Sequence, residues 1–102
     1  MSIHTDPKLA YEHARDVIKG RFPEGEAAMA ANAIWAYNYA SHIIKGRFPE
    51  AEAVIAIDAR WAYHYSTDVI KGRFPEAEAV MLNSDHSDEY LQFILPFIEV
   101  DK

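Results

Sequence analysis

The chain contains no cysteine, so disulfides and thiolate zinc sites are excluded, and a reducing compartment suits it. Positive charge is also in short supply: 10 lysines and arginines face 16 aspartates and glutamates, leaving a formal charge of −6. Binding to a nucleic-acid backbone depends on a clustered positive surface, so direct nucleic-acid binding is not expected. No apolar run approaches the roughly 20 residues that span a bilayer. The opening segment, Met1 to Asp6, lacks the basic and apolar regions of a secretion signal. The expectation is a cytoplasmic protein without a membrane segment.

Chemical motifs are missing as well. The histidines His4, His13, His42, His64 and His86 follow no metal-ligand spacing. There is no nucleophile elbow, phosphate loop, dinucleotide fingerprint or zinc deaminase signature. Neither enzymatic activity nor a cofactor or metal is expected. His42 stands where the flanking copies described below have Asp16 and Asp68, and His64 stands where one has Asn38, which reads as variable solvent positions.

Glycine is scarce, yet three of the 4 glycines sit in one recurring string, Lys-Gly-Arg-Phe-Pro-Glu, which begins at Lys19, Lys45 and Lys71. The spacing is 26 residues with no insertion, so the chain divides into copies 6–31, 32–57 and 58–83 and a different tail, 84–102. A period of this length is one supersecondary unit that buries its apolar face only against its neighbours.

Each copy opens on Asp6, Asn32 or Asp58, residues whose side-chain oxygen accepts from the free amides of a first helical turn. A first helix of about twelve residues should end near Lys19, Lys45 and Lys71, with Gly20, Gly46 and Gly72 as left-handed stops. Pro23, Pro49 and Pro75 suit the first position of a shorter second helix, and Glu24, Glu50 and Glu76 suit its positive dipole end.

In the second copy, Trp35, Tyr39, Ile43, Ala36, Ala40, Ala33, Ile44 and Tyr37 cover about 200° of a helix, wider than a surface helix needs. Phe22, Phe48 and Phe74 should plug the corners. The tail carries Tyr90, Leu91, Phe93, Ile94, Leu95, Phe97 and Ile98 and reads as a capping helix that ends or kinks before Pro96. Alternatively, Phe93 to Val100 supplies an apolar face for self-association. The predicted fold is all-α: a single domain, residues 1–102, of three tandem 26-residue helical hairpins forming a short α-solenoid with a C-terminal capping helix.

The string Tyr-x-x-Ala-x-x-Val/Ile-Ile-Lys-Gly-Arg-Phe-Pro-Glu-Ala-Glu resembles tandem repeats of uncharacterised phage and prophage proteins, and the match covers Asp6 to about Met81, most of the chain. The resemblance implies a phage setting, hence host cytoplasm and a small protein that binds a host component. It carries no activity to any residue. Two departures, His13 in place of Tyr39 and Tyr65, and Gly25 in place of alanine, fall in the first copy and read as end effects.

Two sets of residues are candidates for binding. Lys19, Arg21, Lys45, Arg47, Lys71 and Arg73 flank equivalent turns and should line one edge, where they could hold phosphates. Glu24, Glu26, Glu50, Glu52, Glu76 and Glu78 recur at the same spacing, so the alternative is structural: lysines on helix C-termini and arginines paired with glutamates. Trp35 and Trp61 are either core or a recognition surface.

The functional expectation is a protein-binding module, an acidic phage-type inhibitor of a host protein. A nucleotide-sequestering protein on the Lys-Gly-Arg edge and a homo-oligomer joined through the tail are the alternatives.

Overall fold

The structure, a computed structural model, describes residues 4–97. Among them the regular structure is helical throughout, and the protein is all-α. Seven α-helices follow in order: α1 (Pro7–His13), α2 (Pro23–Ala30), α3 (Ala33–Tyr39), α4 (Glu52–Ala56), α5 (Ala59–Tyr65), α6 (Glu78–Leu82) and α7 (Ser87–Ile94). None is long and apolar enough to cross a membrane.

The helix starts follow from the caps. Asp6 accepts from the Leu9 amide, Asn32 from those of Ile34 and Trp35, and Asp58 from that of Trp61. Each cap contributes on the order of 1 kcal/mol.

The helix ends differ from expectation. After α1, α3 and α5 the backbone widens into π turns, Ala14–Ile18, Ala40–Ile44 and Ser66–Ile70. The left-handed residues that follow are Lys19, Lys45 and Lys71, with φ of 59°, 58° and 59°, and no described glycine has positive φ. Gly20, Gly46 and Gly72 are therefore not the left-handed stops. The reason lies in the hydrogen bonds: the amides of Lys71 and Gly72 both reach the Ser66 carbonyl, at 2.7 and 3.2 Å. With Lys71 left-handed, its own amide and the next both turn back to that one carbonyl.

A side chain in that conformation costs about 1–2 kcal/mol. Lys45→Gly is accordingly expected to raise the unfolding free energy by about 1 kcal/mol. Gly46→Ala should be nearly neutral, because an added Cβ meets only Ile44 Cγ2 at 3.9 Å. Urea denaturation of the two variants checks the assignment, and the opposite order of stabilities would return the left-handed role to glycine.

The second helices begin at the prolines. Pro23 opens α2 directly, whereas the 3₁₀ turns Pro49–Ala51 and Pro75–Ala77 precede α4 and α6. Gly25 has a packing reason of its own: a Cβ there would lie 2.7 Å from Phe22 Cδ2 and 2.9 Å from Ala10 Cβ. The first corner is packed more closely than its counterparts, with Phe22 against the rings of His13 and His4 at 4.8 and 5.6 Å.

Buried side chains recur with the sequence period. Ala10, Ala36 and Ala62 are inaccessible, as are Ala14, Ala40 and Ser66, and then Met29, Ile55 and Met81. Small residues on α1, α3 and α5 let these helices touch, α1 on α3 and α3 on α5, while α2, α4 and α6 bridge consecutive members. The molecule measures 53 × 22 × 17 Å, and its radius of gyration of 14.7 Å exceeds that of a compact chain of this length, about 13 Å. The hairpins thus follow one another along a line.

In the tail, α7 stops at Ile94 and a 3₁₀ turn, Leu95–Phe97, carries Pro96, as the missing amide of proline requires. Tyr90 and Ile94 are buried. Ile98 and Val100 lie outside the described residues.

Candidate functional site

The arginines of the repeated string are consumed within the fold. Arg21, Arg47 and Arg73 each form a two-pronged ion pair, with Glu26, Glu52 and Glu78 respectively, at 2.8–3.1 Å. Planar bidentate pairing is the strongest form of this interaction.

A tyrosine from the following unit completes each corner. Tyr39 Oη donates to Glu26 at 2.6 Å and accepts from the Phe22 amide at 2.7 Å. Tyr65 does the same to Glu52 and Phe48, both at 2.7 Å. Tyr90 serves Glu78 and Phe74 at 2.8 and 2.9 Å. The rings of Tyr39 and Tyr65 also pack on the phenylalanine of their own corner, Phe48 and Phe74, at 5.3 and 5.4 Å.

Charge follows geometry here. The arginine and tyrosine hydrogen bonds hold the carboxyls of Glu52 and Glu78 below the usual range. At Glu26 burial works upward, and the bonds from Arg21 and Tyr39 outweigh it. All three carboxyls are depressed, so their contribution to stability is present above their ordinary value of 4.5 and fades as pH falls through the folded-state values.

A second ladder involves the tryptophans. Tyr11 packs on Trp35 at 5.4 Å, Tyr37 on Trp61 at 5.3 Å, and Tyr63 stacks on His86 at 5.7 Å. Trp35 and Trp61 are partly buried against the core rather than freely displayed. Nor are His42 and Asp68 simply solvent positions. His42 Nδ1 pairs with Tyr11 Oη at 3.3 Å, and Asp68 accepts from Tyr37. His64 likewise contacts the rings of Tyr37, Trp61 and Tyr63.

The lysines are placed differently from the arginines. Among the described residues Lys19, Lys45 and Lys71 are exposed and form no ion pair. They border two notches between the ends of successive first helices. Arg15, Lys19, Gly20, His42, Ile43 and Lys45 line one of about 260 Å³. The other, about 180 Å³, lies among Ala40, Ser41, Lys45, Gly46, Asp68, Val69 and Lys71. The structure therefore groups the lysines pairwise at the notches and engages the arginines in ion pairs.

A shallow groove lies beside α2. It holds about 500 Å³ and is lined by Pro23, Glu26, Ala27, Ala30, Ala31 and Glu50. In the next unit Ile57, 75% exposed, occupies the place of Ala31. Glu24, Glu50 and Glu76 are exposed and form no ion pair among the described residues. On the tail, Leu91, Leu95 and Phe97 are also exposed.

Among the described residues no group of three or more histidines and carboxylates is placed to hold a metal ion. Comparison of the chain with family models, with curated proteins and with solved structures returned no match.

The tyrosine hydroxyls were not foreseen as corner ligands. A signal for them existed: Tyr39 and Tyr65 each follow the corner phenylalanine of the preceding unit by the same interval of 17 residues.

Proposed function

We propose that the protein is a non-enzymatic helical-repeat interaction module, an acidic inhibitor of phage type that seats a basic surface of a host protein beside α2. The observation that carries this reading is the groove lined by Ala27, Ala30 and Ala31 together with Glu26, engaged by Arg21 and Tyr39, and Glu50, which forms no ion pair among the described residues. Lysine and arginine side chains have an apolar stem and a charged head, which such a groove matches. The overall charge of −6 steers the same class of partner. The three exposed glutamates occupy like surroundings, whereas acid–base catalysis needs carboxyls with divergent environments. The phage setting rests on the resemblance of the repeated string.

The test compares the wild-type chain with the triple variant Glu24→Gln, Glu50→Gln, Glu76→Gln. A partner should be retained from host extract by the wild type, weaken as salt rises, and be lost by the variant. Thermal unfolding should be nearly unchanged, since these carboxylates make no ion pair among the described residues. A partner held equally by both proteins would sink the groove reading. Recovery of the chain alone, with a defined oligomer in light scattering, would replace it with self-association through Leu91, Leu95 and Phe97.

A further inference from the structure

The two notches between successive units are built from the same register positions, so each serves as a control for the other. Ser41 in the second notch is replaced by Arg15 in the first, and Asp68 by His42. Both changes shift charge in the positive direction. In the second notch the Asp68 carboxylate shares the space with Lys45 and Lys71 and is held there by the Tyr37 hydroxyl. That notch contains its own anion.

The first notch has the lysines without the anion. Lys19 and Lys45 face it with no ion pair among the described residues, and Asp16, the nearest carboxylate in sequence, is engaged in two bonds to Arg15 at 2.7 and 2.8 Å. His42 stands where the carboxylate would be, its Nδ1 paired with Tyr11 Oη. In the tautomer that accepts from Tyr11 at Nδ1, the imidazole N–H is on Nε2. Lys19 and Lys45 border a space of about 260 Å³ whose lining includes no carboxylate.

We infer that the notch formed by Lys19, His42 and Lys45 binds the phosphate group of a small phosphorylated ligand. The volume lies just below the roughly 300 Å³ at which ordinary ligand pockets begin, which admits a phosphate with an attached sugar. Lys45 borders both notches, and the Asp68 carboxylate lines only the second. The inference is independent of the groove beside α2, and either can fail without the other.

Calorimetric titration of the full chain with inorganic phosphate, and separately with a nucleoside monophosphate, tests it. One saturable site per chain is expected. Lys19→Ala and His42→Asp should each weaken binding about tenfold or more, the order of a lost charge-assisted contact. Lys71→Ala should bind as the wild type does, and circular dichroism should show all variants folded. The paired change Ser41→Arg with Asp68→His should raise the stoichiometry from one to two.

Tighter binding of the nucleotide assigns a nucleotide as ligand, and equal binding assigns phosphate itself; both support the site. The absence of saturable binding by either probe overturns it. So does binding that survives Lys19→Ala and His42→Asp, or that is lost equally in Lys71→Ala.

Discussion

Tyr65→Phe is expected to lower the unfolding free energy by about 2–3 kcal/mol, although it removes a single oxygen. The Tyr65 side chain is inaccessible, and its oxygen is the acceptor for the buried Phe48 amide and a donor to Glu52, both at 2.7 Å. Without it the amide has no partner, at a cost of about 1–3 kcal/mol, and Glu52 retains only Arg47. Tyr37→Phe is the control, since that hydroxyl meets Asp68 at the surface and should cost less than about 1 kcal/mol. Urea denaturation with unchanged slope measures both. Equal losses would show that burial of the corner amide is not the deciding factor.

The second large effect is alkaline instability. Burial raises Tyr39, Tyr65 and Tyr90 above the ordinary value of 10.0, and a neighbouring carboxylate adds to it, while the corner amide pulls the other way. Tyr39 and Tyr90 are pushed up to about 12, and Tyr65 higher still. Above pH 10 the unfolded chain releases these protons while the folded chain keeps them. The folded state then binds more protons, so stability is whole below pH 10 and falls as pH rises through the folded-state values.

Each hydroxyl that stays protonated in the folded state adds at most about 1.4 kcal/mol per pH unit to the slope, and Tyr37, also raised, acts in the same direction. Urea midpoints recorded by circular dichroism across this range should fall steeply, and Tyr65→Phe should make the fall shallower. Midpoints that stay level up to pH 12 would contradict the buried-hydroxyl arrangement.

Much of this architecture is legible in the sequence, because it depends on local chemistry. Asp6, Asn32 and Asp58 cap, the three prolines open helical turns, Phe22, Phe48 and Phe74 are buried, and the arginines pair with glutamates. What escaped the sequence depends on register or on partners far along the chain. The left-handed lysines follow from a helix that widens by a residue, and the Lys-Gly pair offers glycine as the obvious but incorrect choice. Tyr90 follows Phe74 by 16 residues instead of 17, and that single missing residue hides α7 as a fourth member of the series. His42 reads as surface variation until Tyr11, 31 residues away, and the matched notch at Asp68 give it a setting.

The tyrosine latch also imposes a direction. Phe22 cannot complete its corner until Tyr39 exists, nor Phe48 until Tyr65, nor Phe74 until Tyr90. On a ribosome, which delivers the N-terminal part first, each newly made bend therefore waits for about one more unit of chain to emerge. The nascent protein carries one open bend at its growing end throughout synthesis, and α7 is what finally closes the last of them.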